Sequence, residues 1–196
     1  MKNIALLGCG GMGKGHANAI ATGTGNAVWA GIPGQYEGKL SPADSDVDKV
    51  LKLSGIYDID PACCNWARER GYHVYNSYDE ILADPAVDIV LIATPNHLHK
   101  EEAIAALRSG KHVLCEKPVM MNGDELAEVM AAAKETGKIF YPRQNRRWDK
   151  DYRIVKKIYD EKLVGEVFNI ECRVQGSRGI PGDWRQEPEH GGGMVL

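Results

Sequence analysis

The stretch IALLGCGGMGKGHANAIAT, residues 4–22, decides the fold. Ile4 to Leu7 form a short apolar run of strand character, and the glycines after them open a segment with helical patterning. Gly8, Gly10 and Gly13 stand at G-x-G-x-x-G spacing between the two. In that setting the first glycine permits a tight turn, the second lets backbone approach a pyrophosphate, and the third lets the helix sit close to the strand. The helix start then offers its N–H groups to phosphate oxygens. Gly11 and Met12 complete the candidate cofactor loop, with Cys9 and Met12 contributing mostly backbone; easing of helix packing is an alternative reading for Gly11 and Gly15.

Outward from this stretch, β-rich runs alternate with helical patterns. LSGIYD reads as a strand, PACCNWARER as a helix, HVY as a short strand, SYDEILAD as a helix and VDIVLIAT as a strand. HKEEAIAALRSG, KHVLCEKP, NGDELAEVMAAAKETG and KIFYP then repeat the alternation. Continuous apolar runs such as IVLIA suit strands covered on both faces. The pattern predicts an α/β fold, a Rossmann-type doubly wound parallel sheet. In the helix from Gly123, the residues Leu126, Val129, Met130 and Ala133 make one face for the sheet, with Gly137 as its C-cap. The dinucleotide-binding domain is assigned to residues 1–141. Residues about 26–52 form a surface insertion rich in Gly, Pro and acids, in which Trp29 and Tyr36 either reach over a ligand or pack on the surface.

A dinucleotide site also calls for an acidic residue at the end of the second strand, to bond the adenosine ribose hydroxyls. Asp58 takes that place; the insertion explains why it follows Gly13 by 45 positions where about 20 is usual. A carboxylate there attracts free 2′ and 3′ hydroxyls and repels a 2′-phosphate, favouring NAD over NADP. Asp60, just before Pro61, reads as a helix N-cap.

Charge gives no pull toward nucleic acid or membrane: 24 Lys and Arg oppose 27 Asp and Glu among 196 residues, for a formal net of -3. The basic segment RQNRRW could touch phosphate through Arg143, Arg146 and Arg147, or form a solvated face. The five cysteines show no metal-ligand spacing, so no metal is expected and a reduced, cytoplasmic protein is the simplest reading. Glycines interrupt the N-terminal apolar run too early for a signal peptide, and no run approaches the roughly 20 apolar residues of a membrane span.

TPNHLHKEEAIAALRSGKHVLCEKP, residues 94–118, puts polar residues into two loops at the ends of adjacent strands. Together with GCGGMG, QNRRW and GDWR ahead of GGGMVL, it resembles the Gfo/Idh/MocA family of NAD(P)-dependent oxidoreductases from Lys2 to Leu196, apart from the insertion. The resemblance implies that Thr94, Pro95, Asn96 and His99 line the cofactor, that Glu116 and Lys117 sit at the nicotinamide and substrate, and that Pro118 follows a cis peptide bond. It matches Arg147 to an arginine after the last nucleotide-domain strand and so counts it among the cofactor-binding residues, although Lys150 stands where many relatives carry proline. It also implies substrate contacts for Trp184 and Arg185 as well as Lys117. Lys117 is the expected catalytic residue, because an ammonium beside a sugar hydroxyl donates a hydrogen bond to its oxygen and favours the alkoxide from which hydride leaves the carbon. A surface turn is the alternative for the same tripeptide. His97 and His99 read from the residues alone as polar caps, and His112 as structural.

By the same resemblance, residues 142–196 are the incomplete start of an α/β second domain, mostly an antiparallel sheet, that binds substrate and builds oligomers. A helix over DKDYRIVKKIYDEKLVG and a β-like segment from Glu166 to Val174 belong to it. The expectation is a C-terminally truncated, inactive form of an NAD-dependent dehydrogenase acting on a secondary alcohol of a sugar, inositol or related polyol. The full-length form is expected to be a homo-oligomer. The alternative is a noncatalytic NAD-binding fragment or regulator.

Overall fold

The computed structural model describes residues 1–22, 50–173 and 187–190. The chain divides into two compact units, Met1–Pro142 and Arg143–Leu196.

In the first unit the elements run β1 (Lys2–Leu7), α1 (Gly11–Thr22), β2 (Leu51–Tyr57), α2 (Pro61–Arg68), α3 (Tyr78–Ala83), β3 (Ile89–Ile92), α4 (His99–Arg108), β4 (His112–Cys115), α5 (Gly123–Thr136) and β5 (Phe140–Pro142). All pairings are parallel, in the order β2-β1-β3-β4-β5. The chain leaves β1 for β2 on one side and returns to β3 on the other. That reversal opens a crevice beyond the ends of β1 and β3, where open sheets of this kind bind ligands.

The strand period of two sorts the apolar residues into two layers. Ile4 and Leu6 join Ala17 and Ile20 of α1, Ala67 of α2 and Leu91 in one. Ala5 and Leu7 join Val90, Ile92, Leu107 of α4 and Val129 of α5 in the other. Helices begin where side chains satisfy their first amides: Asp60 accepts from Ala62, Ser77 from Glu80 and Asn122 from Glu125. Gly137, at φ 65°, ends α5 in a left-handed conformation that costs glycine little.

Four expectations change. The HVY strand is reduced to a single parallel bridge between Val74 and Ile56. Leu51 and Lys52, given to the insertion, are the first residues of β2, paired with Lys2 and Asn3; residues 26–49 of the insertion, with Trp29 and Tyr36, lie outside the described residues. Met130, read as core, is exposed, because the buried stripe of α5 is centred on Val129 with Ala132 and Ala133 and Met130 is about 100° away around the helix. In the second unit, described residues 166–173 form no strand. A strand exists through its ladder, and no described segment pairs with this one, so Phe168 is left fully exposed.

The second unit also contains a 3₁₀ turn (Asn145–Trp148), helix α6 (Lys150–Asp160) and a short turn at Pro188–His190. Tyr152, Val155 and Tyr159 of α6 are exposed. Among the described residues no helix is long and apolar enough to cross a membrane, and the five cysteines are free thiols.

Candidate functional site

Four loops leave the ends of β1 to β4 and meet at the crevice. The glycine loop is fitted tightly to its surroundings at two glycines and open at two others. A Cβ on Gly8, whose φ is +90°, would stand 2.8 Å from the carbonyl carbon of Ala93, and one on Gly13 only 2.1 Å from the Gly8 oxygen. A Cβ on Gly10 or Gly11 would meet nothing within 4 Å. The loop is therefore closed toward strand and helix and open toward the crevice, the shape a pyrophosphate requires. Helix α1 starts there without an acidic residue in its first turn, and Met12 lies in that turn. Its first amides have no partner within the helix and are free to serve an anion. A dinucleotide thus fits the residues present.

Asp58 follows β2 and reaches back to this loop. Its Oδ2 accepts from the Cys9 amide at 2.5 Å and its Oδ1 from the Asp60 amide at 2.8 Å. Each carboxylate oxygen can accept more than one hydrogen bond, so Asp58 can still receive ribose hydroxyls. Asp60 is the N-cap that the sequence suggested. Burial pushes the neighbouring Cys9 thiol up to about 12, which leaves it protonated and unreactive at neutral pH.

After β3, Thr94 and Pro95 are half-buried and Asn96 is buried in a short turn (Asn96–Leu98). The Thr94 hydroxyl donates to Glu102 Oε2 at 2.5 Å. His99, expected along the cofactor, has no exposed surface. Its Nε2 lies 3.0 Å from the Thr94 carbonyl and its Nδ1 3.0 Å from the Pro118 carbonyl. Burial holds its pKa below the ordinary imidazole range.

After β4, Glu116 is buried, Lys117 is exposed, and the bond between Lys117 and Pro118 is cis. Glu116 Oε1 lies 2.7 Å from Nε2 of His16, and Oε2 accepts from the Lys117 amide at 3.2 Å. His112 holds the neighbouring strand entry, its Nδ1 accepting from the Ile139 amide. Arg147 is exposed in the 3₁₀ turn of the second unit, and Trp184 and Arg185 lie outside the described residues.

The sequence reading overlooked His16 and Glu102. His16 repeats with Gly13, Ala17 and Ile20 on the buried face of α1. A buried polar group on such a face must have a partner, and this was the available signal. Glu102 stands beside the buried Ala103, and its neighbour Thr94 is eight residues away across a loop, which no periodicity reveals.

A family model described as an oxidoreductase family with an NAD-binding Rossmann fold, Gfo/Idh/MocA, matches residues 2–144. The chain is 38% identical over 124 residues to a 1,5-anhydro-D-fructose reductase of Ensifer adhaerens, an alignment covering 61% of this chain and 37% of that protein. Among solved structures, an NAD-binding protein from Listeria innocua superposes with a TM-score of 0.82 and 42% identity over 100% of this chain and 50% of that one. A myo-inositol 2-dehydrogenase from Lactobacillus plantarum gives a TM-score of 0.68 and 25% identity over 85% of this chain and 43% of that one. The chain therefore spans about a third of the length of the curated relatives it matches and half of the Listeria structure.

Proposed function

We propose, from the premise that this chain belongs to the Gfo/Idh/MocA oxidoreductase family, that it works in an NAD-dependent dehydrogenase oxidising a secondary alcohol of a sugar, inositol or related polyol. The observation that carries this reading is the convergence on one crevice of an open glycine loop, the Asp58 carboxylate and an exposed lysine next to a buried glutamate.

Gly8, Gly10, Gly11, Met12 and Gly13 would hold the pyrophosphate through backbone, Asp58 the adenosine ribose, and Thr94, Pro95 and Asn96 the nicotinamide half. Bound NAD supplies a hydride acceptor. Lys117 donates a hydrogen bond to the substrate oxygen and stabilises the alkoxide formed as the hydroxyl proton leaves to solvent, from which the C–H hydride can be given up as the carbonyl forms; this lowers the barrier only if the ammonium is already in place. Glu116 acts from behind, holding the Lys117 amide. Anhydrosugar and inositol relatives support the substrate class.

In the same reading, residues 142–196 begin a mostly antiparallel substrate-binding and oligomer-building domain, to which Arg147, Trp184 and Arg185 contribute, and the protein is a cytoplasmic homo-oligomer. Calorimetric titration with NAD and NADP tests the cofactor assignment, and a polyol panel followed by nicotinamide absorbance tests the reaction. Tighter binding of NAD, weakened in Asp58→Ala, is expected of this chain, and turnover of at least one polyol is expected of a protein extended to the length of its relatives. Equal affinity for the two nucleotides would sink the Asp58 role. Binding of NAD with no turnover by the extended protein would leave a noncatalytic nucleotide-binding protein.

A further inference from the structure

We infer that His16 and His99 are positioning residues that fix the backbone of Lys117 from both sides, tying it to the two helices that open the cofactor loops. The inference rests on the reading of Lys117 as the group that meets substrate.

The three residues of the loop divide their work sharply. Glu116 is 5% exposed while Lys117 is exposed. On the N-terminal side, one Glu116 oxygen meets His16 and the other receives the amide of Lys117 itself. A buried carboxylate without a donor is costly, so the imidazole of His16 is what allows Glu116 to stay inside and hold that amide. On the C-terminal side, the Pro118 carbonyl faces Nδ1 of His99, whose other nitrogen faces Thr94. The neutral ring carries one N–H and donates to one of these two carbonyls at a time, so its full burial between the loop after β3 and the loop after β4 supplies the rest of the hold.

Lysine has a long, freely rotating stem, and a group that must meet a developing charge has to be held within about half an ångström. Its side chain cannot be locked before substrate arrives, so the rigidity has to come from the backbone that carries it. His16 lies on α1, one turn beyond the glycine loop, and His99 is the first residue of α4. The same two helices therefore orient the cofactor loops and the lysine. A displacement of either helix would move Lys117 relative to both.

The test is amide hydrogen exchange by NMR on the 196-residue chain, with NAD affinity measured in parallel. In His16→Leu, exchange at Lys117 should accelerate about 10- to 100-fold, the scale for losing a hydrogen bond to a charged group. His16→Gln, which keeps an N–H donor at similar reach, should restore slow exchange. His99→Asn keeps a donor toward Pro118 and should disturb Val119 and Lys117 less than His99→Leu does. If His16→Leu fails to fold, His16→Asn, whose amide stops one methylene short, replaces it in the comparison with glutamine; if His99→Leu fails to fold, His99→Asn is compared with the parent.

Unchanged exchange at Lys117 in the leucine variants would overturn the inference. So would acceleration spread evenly over β1 and β3, because that would mark the histidines as general core residues. Absence of NAD binding by the parent chain would remove the dehydrogenase reading, while the exchange pattern would still decide whether the loop is held in this way. Where a polyol is turned over, His16→Leu should lower kcat with little change in the KM for NAD, and His16→Gln should recover it.

Discussion

Replacing Glu102 by glutamine should make the protein more stable at alkaline pH. The Glu102 carboxyl is drawn inside beside the β3 loop, and burial raises its pKa from 4.5 to about 7, opposed only by the hydrogen bond it receives from Thr94. The folded chain therefore keeps a proton that the unfolded chain has released between about pH 4.5 and pH 7. Native stability contributed by this site falls as pH rises through that window, and the whole penalty is present above it. A displacement of about 2.5 pH units corresponds to roughly 3 kcal/mol as an upper limit. Glutamine retains a carbonyl oxygen for the Thr94 hydroxyl and carries no charge. We expect Glu102→Gln to exceed the parent by about 1–3 kcal/mol at pH 8 and to match it near pH 4.5. Urea unfolding followed by far-ultraviolet circular dichroism at the two pH values provides the assay. The half-buried carboxylates Asp84 and Asp88, whose pKa values are held down chiefly by hydrogen bonds from Tyr75 and Lys2, act equally in both proteins and cancel in the difference. A difference between the two proteins that does not change with pH would refute the reasoning, because it would show that the carboxyl titrates alike in the folded and unfolded chains.

Two glycines should separate folding from binding. Gly13→Ala places a methyl group 2.1 Å from a backbone oxygen and should unfold or badly destabilise the first unit, whereas Gly10→Ala meets nothing within 4 Å and should fold normally while losing NAD affinity; thermal melting and calorimetry distinguish the two, and equal behaviour would contradict the proposed phosphate loop. In the full-length form, Lys117→Ala should lower kcat by about 10² to 10³, the range for removing one preorganised donor to a charged oxygen, with NAD affinity near that of the parent. A loss confined to NAD affinity would make Lys117 a cofactor ligand only.

The sequence by itself determined the parallel sheet and the glycine loop, because both rest on local rules. Side chains along β1 alternate between faces at every step, so Ile4 and Leu6 against Ala5 and Leu7 already announce two covered layers. Gly8 and Gly13 likewise answer to neighbours in the turn itself or on the adjoining strand. The same local logic placed Asp60 before Pro61 as a cap.

What only the tertiary structure decided are the partners brought together across long stretches of chain. Asp58 reaches the Cys9 amide over 49 positions and Glu116 reaches His16 over 100. No periodicity links such residues, because the sheet order sets their neighbours and the order depends on how every crossover packs. Burial is decided in the same way. His99 looked like a polar residue at a loop end, yet packing enclosed it completely and set its ring nitrogens against the Thr94 and Pro118 carbonyls. Met130 carried the right spacing for the core and ended outside, because the helix turned its stripe toward Val129. A helical pattern fixes which residues share a face; how that face is rotated against the sheet is settled only by the volume available beneath it.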